Sequence, residues 1–231
     1  MRRIARIALA LGAALLLGAC TTLEVSEEDS PAEILKKAAQ ARDNGLYSQA
    51  ITNYQRLESL YPYSRQALQA QIMTAYTYYL KGDSLAAVRA ADRFLRLHPR
   101  NPHVDYALYL KGIAHYQKIG DPDRDPEHAR KAAEIFRQLL RQHPDSLYAE
   151  DGRLRLRVAD RILAGHDLHV ARYYFDRRAF VAAASRCRRV LTEHPGTPSV
   201  EPALGLMARS YSRLDLDRLA ADTLAILAHN F

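Results

Sequence analysis

Cysteine is almost missing from this chain: Cys20 and Cys187 are the only two among 231 residues. Cys20 lies in a leader with a separate fate, argued below, so Cys187 has no intrachain partner. A disulfide-stapled scaffold is therefore excluded, whatever the redox compartment. Cys187 falls on the apolar face of a helical pattern, where a free cysteine behaves as a small buried hydrophobe. Runs of β-branched residues are also missing. Glycine and proline, ten of each, sit mostly in short breaks between stretches rich in Ala, Leu, Arg and Tyr. That composition excludes a sheet-based fold and predicts an all-α protein.

Catalytic signatures are missing as well. There is no Gly-x-Ser-x-Gly elbow, no glycine-rich phosphate loop and no Cys–His pair in a nucleophile context. Asp121-Pro122-Asp123-Arg124-Asp125-Pro126 imitates the start of a calcium loop. However, Pro126 stands where glycine is needed, and Ala132 where glutamate should close the cage. Asp125-Pro126-Glu127 instead predicts a helix start. His166 and His169 share a helix without a His-Glu-x-x-His pattern or a cysteine cluster, and are expected to be surface or core histidines. No catalytic, metal or cofactor residue is singled out. The formal net charge is only +7, with acids and bases interspersed. Arg186, Arg188 and Arg189 form the most basic short stretch, but no aromatic-basic motif accompanies them, so no nucleic-acid partner is expected.

The N-terminal segment is rich in what the rest lacks. Arg2, Arg3 and Arg6 precede a nearly unbroken apolar stretch from Ile7 to Ala19, too short for a permanent bilayer span. A basic head, a short apolar run and small residues at its end predict a secretory signal over residues 1–19. Leu17-Gly18-Ala19-Cys20 resembles a bacterial lipobox, in which the cysteine is acylated and becomes the mature N-terminus. Loss of the leader would lower the net charge to +4 over 212 residues, enough chain for a substantial core. By resemblance to lipoproteins of double-membraned bacteria, Thr21 after the cysteine, rather than Asp, implies the outer membrane, facing the periplasm. Residues 20–30 are polar and acidic and are expected to be a flexible lipidated tether. Ser30-Pro31-Ala32-Glu33 then opens the first helix with a cap, a proline and a capping glutamate.

From residue 31 onward the chain repeats. Leu60-Tyr61-Pro62, Leu97-His98-Pro99, Gln142-His143-Pro144 and Glu193-His194-Pro195 each end an amphipathic stretch, as proline requires. Ala50, Ala87, Ala132 and Ala183 lie twelve positions before those prolines, and Ala220 continues the series. Gly45, Tyr47, Tyr54, Ala75, Tyr78, Gly82, Gly112, Phe136, Ala171, Tyr174, Phe180, Ala208, Tyr211 and Leu224 fall in phase with them. The pattern resembles the tetratricopeptide repeat, a helix-turn-helix unit of about 34 residues whose small residues let two backbones approach. The third unit carries about eight extra residues between its helices. Between Pro144 and Pro195, the series Leu154, Val158, Ile162, His166, Val170, Tyr174 runs past Gly165 without a change of phase. It predicts one long helix over 147–177. The expected fold is an all-α tetratricopeptide-like superhelix of five antiparallel pairs, about ten helices, over residues 31–231. Its N-terminal repeats would cover 31–99 and its C-terminal repeats 102–231.

Residues 57–116 say more. Leu-Glu-Ser-Leu-Tyr-Pro-Tyr-Ser (57–64), Ala-Tyr-Thr-Tyr-Tyr (75–79), Asp-Arg-Phe-Leu-Arg-Leu-His-Pro (92–99) and Asn-Pro-His-Val-Asp-Tyr-Ala-Leu-Tyr-Leu-Lys-Gly (101–112) resemble the BamD (ComL, YfiO) family of outer-membrane lipoproteins. Asp-Arg-Asp-Pro (123–126) and His128-Ala129 extend the likeness, whereas the connection from Tyr116 to Asp121 is shorter than in many members. The resemblance implies a non-catalytic scaffold of β-barrel protein assembly. Its implied partners are the barrel-forming subunit, accessory assembly lipoproteins and the aromatic C-terminal segments of unfolded outer-membrane proteins. Tyr61, Tyr63, Ser64, Tyr76 and Tyr79 are the expected client-binding residues. Arg186, Arg188 and Arg189 are expected at a partner subunit. Two other classes stay open on sequence: a periplasmic repeat adaptor for division or export, and a superhelical enzyme that cleaves cell-wall glycan.

Overall fold

The computed structural model describes residues 25, 26 and 28–231; the leader and Cys20 lie outside them. Ten helices and no strand occur among the described residues. They are α1 (Pro31–Asp43), α2 (Tyr47–Leu60), α3 (Arg65–Leu80), α4 (Ser84–Leu97), α5 (Val104–Tyr116), α6 (Glu127–Gln142), α7 (Ala149–Asp176), α8 (Phe180–Glu193), α9 (Val200–Ser212) and α10 (Asp217–Asn230). Helices α2, α4, α6 and α8 each stop two residues before a proline, because the residue preceding proline is pushed out of the helical region. At the start of α1 the Glu33 carboxylate accepts the Ser30 N–H at 2.8 Å, and the Ser30 hydroxyl accepts the Glu33 N–H at 3.4 Å. Such a cap contributes about 1 kcal/mol.

The short turns share one geometric demand. The residue two positions before α2, α4, α8 and α10 has a left-handed backbone: Gly45 (φ 75°), Gly82 (φ 83°), Arg178 (φ 61°) and Asp215 (φ 56°). Glycine meets that demand without strain, while Arg178 carries a Cβ penalty of about 1 kcal/mol. Between α5 and α6 the tight turn is replaced by the longer connection 117–126.

The chain divides into two compact units, one ending at Lys81 and one running from Gly82 to Phe231. The division falls inside the second repeat, at neither end of the 99–102 break between the expected groups. In the first unit α1 packs on α2 and both pack on α3. Ile34, Ala38, Ala41, Ala50, Tyr54, Leu57 and Ala70 form its core. Two residues ahead of α1 contact this unit. Val25 is buried in that core, Asp29 pairs with Lys37 at 2.7 Å, and the Tyr61 hydroxyl donates to the Asp29 carbonyl at 3.1 Å. An apolar contact and two polar clasps thus hold Val25 and Asp29 against this unit.

In the second unit successive helices pack from α4 to α10. Ala87, Ala132 and Ala183 are buried where helices meet, and Cys187 lies in the core with Ala184, Val190 and Leu204. Burial pushes the Cys187 thiol up to about 12, which makes it unreactive. Helix α7 is continuous over 28 residues. Its buried side is Gly152, Ala159, Leu163, Ala164, Asp167, Leu168 and Ala171, not the four-residue series that revealed its length. A step of four advances about 40° per turn around the axis, so that series winds from solvent toward the core. Gly165 is no turn. A Cβ there would lie 3.1 Å from Pro122, and His166 Nδ1 lies 2.9 Å from the Pro122 carbonyl. The glycine makes room for the α5–α6 connection.

Candidate functional site

In the first unit the Tyr61-Pro62-Tyr63-Ser64 segment links α2 to α3. Its members do different things. Ser64 is the N-cap of α3: its hydroxyl accepts the Ala67 N–H at 2.9 Å and donates to the Tyr61 carbonyl at 2.9 Å. Tyr61 is half-buried against the core while its hydroxyl holds Asp29. Both are therefore tied into the fold. Tyr63, by contrast, gives its whole ring to solvent. Tyr76 and Tyr79 are half-buried on α3, with the Arg42 guanidinium 5.8 Å from the Tyr76 ring centroid. Of the five expected client-binding residues, Tyr63 is the free aromatic.

The second unit holds a charged cleft of about 490 Å³ between α6, α7 and α8. At its floor Asp167, only 4% exposed, accepts from Arg186 at 3.0 Å and lies 3.5 Å from Arg189. Arg189 also forks onto both Glu193 oxygens at 3.2 and 3.3 Å, and that hydrogen-bonded pair raises its pKa further. Asp160 joins Arg137 to His194, whose Nδ1 lies 3.2 Å away. Asp167, Glu193 and His194 offer ligand atoms within 4.8 Å of one another. Guanidinium groups already hold both carboxylates, so the cluster works as an ion-pair network that fixes α8 on α7. The three arginines expected at a partner subunit therefore separate. Arg186 and Arg189 turn inward to Asp167, and of the three only Arg188 is exposed. Asp167 was not legible as their partner, because it sits on another helix between two histidines.

An aromatic wall on α5 and α7 was missed as well. Tyr148 stacks on Tyr106 (4.9 Å) and on Tyr109 (4.8 Å). Tyr109 donates to Asp151 at 2.8 Å, Asp151 accepts from Arg155, and the Arg155 guanidinium lies 4.9 Å from the Tyr116 ring centroid. Burial, then the Asp151 bond, pushes the Tyr109 phenol up to about 12, so it remains a donor. The i, i+3 spacing of Tyr106 and Tyr109 was the available signal; the third ring, Tyr148, comes from beyond α6.

The family model of YfiO, an outer membrane lipoprotein, matches residues 27–227. Outer membrane protein assembly factor BamD of Neisseria meningitidis serogroup B is 37% identical, covering 98% of this chain and 91% of that protein. BamD of Caulobacter vibrioides is 31% identical over 88% of this chain and 67% of its own length. Among solved structures, the TPR2AB domain of yeast Sti1 in complex with pHSP90 covers 84% of this chain and 74% of that one, at 13% identity and a TM-score of 0.45.

Proposed function

The chain belongs to the YfiO family of outer membrane lipoproteins, and on that premise we propose that it is a non-catalytic scaffold of the machinery that assembles β-barrel proteins in the outer membrane. The observation that carries this reading is the 37% identity to a named assembly factor over 98% of the chain. The physical chemistry is compatible with the task. Unfolded barrel proteins carry β segments that pair with any open strand edge. Helices satisfy their own backbone groups, so a helical scaffold receives such segments through side chains without templating a sheet.

Cys20 is the acylated anchor, and the folded part works on the periplasmic face. Tyr63, on its exposed loop, meets unfolded clients, while Arg188 on α8 faces the barrel-forming subunit. The test is affinity purification of the tagged chain from detergent-solubilised envelopes. Barrel-assembly subunits should co-purify in stable amounts; recovery of division or export proteins instead would overturn the reading. A Cys20→Ala variant should lose fatty-acid labelling, and undiminished labelling would remove the anchor from the proposal.

A further inference from the structure

Residues 152–159 on α7 read Gly-Arg-Leu-Arg-Leu-Arg-Val-Ala, three arginines without an acid. Gly152 and Ala159 face the core. Leu154 (48% exposed) and Val158 (37%) stand one helical turn apart on the opposite side, an apolar pair in solvent. Arg157 and Arg161 stand one turn apart beside them, and both are exposed. The neighbouring arginines are occupied: Arg153 donates to the Pro144 carbonyl at 3.3 Å, and Arg155 pairs with Asp151 and covers Tyr116. Arg157 and Arg161 make no ion pair or hydrogen bond among the described residues. Leu154, Arg155, Arg157, Val158 and Arg161 bound, with Tyr116 and the Arg155-paired Asp151, a cleft of about 380 Å³.

We propose that this outward face of α7 is a docking surface for an acidic segment of a partner protein, one that seats an apolar side chain against Leu154 and Val158 and sets carboxylates on Arg157 and Arg161. Charge complementarity selects the occupant. Two unpaired guanidiniums one turn apart match two carboxylates at a similar spacing, and planar guanidinium suits carboxylate in particular. The exposed Leu–Val pair gains only from an occupant that also brings apolar surface, which a purely ionic ligand lacks. The wall beside it is already rigid. The Tyr109–Asp151–Arg155–Tyr116 chain of contacts holds its own members in place, so docking has little left to order there. This surface stands on its own geometry and goes beyond the client and subunit contacts proposed above.

The test uses the whole folded chain and a fluorescein-labelled synthetic peptide of glutamates with leucine at every fourth position, followed by fluorescence anisotropy. Saturable binding is expected. The double variant Arg157→Glu/Arg161→Glu and the single variant Leu154→Asp should each weaken it by about tenfold or more, with helical content and melting temperature unchanged. An all-glutamate peptide should bind at least about tenfold more weakly, since it lacks the anchor. Three results would overturn the proposal: equal binding by the charge-reversed protein, equal binding of the all-glutamate peptide, or loss of peptide binding to competing phosphatidylglycerol vesicles that themselves depend on Arg157 and Arg161.

Discussion

Two glycines inside helices of the second unit should respond to the same substitution with opposite signs. Gly112 lies in α5 opposite Phe136 of α6. A Cβ at Gly112 would sit 2.6 Å from Phe136 Cε1 and 3.0 Å from Cδ1 and Cζ. The ring is fully buried in the core, so it must shift against packed neighbours to admit the new methyl. Alanine recovers about 1 kcal/mol of helix propensity. Forcing extra volume into a filled core costs about 1–3 kcal/mol, and a contact this short belongs at the upper end. Gly112→Ala should therefore destabilise by about 1–2 kcal/mol. Gly205 in α9 has nothing within 4 Å of its Cβ position. Gly205→Ala should stabilise by about 0.5–1 kcal/mol. Urea unfolding followed by far-ultraviolet circular dichroism reads both. Adding Phe136→Leu to Gly112→Ala should cost less than it does in the parent, because the two changes share one space. If Gly112→Ala stabilises as Gly205→Ala does, Phe136 does not fill the space beside α5 and the packing described is wrong.

Burial, aided by the charges of His128, Lys131 and Lys111, pushes the His115 imidazole down to about 4 from 6.5. The unfolded chain thus takes up this proton first as pH falls, so His115's contribution, on the order of 3 kcal/mol, is complete above about pH 6.5 and disappears by about pH 4. His115→Asn should flatten that limb of a stability–pH profile; an unchanged slope would place the titration elsewhere. Arg178→Gly should stabilise by about 0.5–1 kcal/mol by removing a side chain from a left-handed turn, and a loss in thermal melting would contradict the shared turn geometry. Asp167→Ala, which leaves Arg186 and Arg189 facing one another without their carboxylate, should destabilise by about 3 kcal/mol in urea unfolding, several times the effect of Glu193→Ala at the exposed rim. Equal effects would mean that the buried carboxylate does not organise the cleft.

Local signals were legible and distant ones were not. Proline stops, the Ser30 capping box and the alanine phase act within one or two turns of chain, so the helices appeared where the sequence placed them. Gly45 and Gly82 revealed their turns because glycine marks a left-handed backbone; Arg178 and Asp215 make the same turn without that mark. Gly165 drew attention as a helix breaker, but its reason is Pro122, which is distant in sequence. The candidate site was harder still. Tyr61 and Ser64 share one loop with Tyr63, and only the folded chain reveals the Asp29 carbonyl and the α3 N-terminus that occupy them. Arg186, Arg188 and Arg189 form one basic block in sequence, yet a helix turns about 100° per residue, so Asp167 claims two of them and leaves Arg188 outside.

If the chain serves β-barrel assembly, its depletion in the native host will impair the folding of new barrels. The measurement is the fraction of newly made outer-membrane barrel proteins that reach the folded form, read by heat-modifiable migration on cold gels during depletion. This fraction should fall while acylated lipoproteins continue to reach the outer membrane. Normal barrel folding in depleted cells would contradict it.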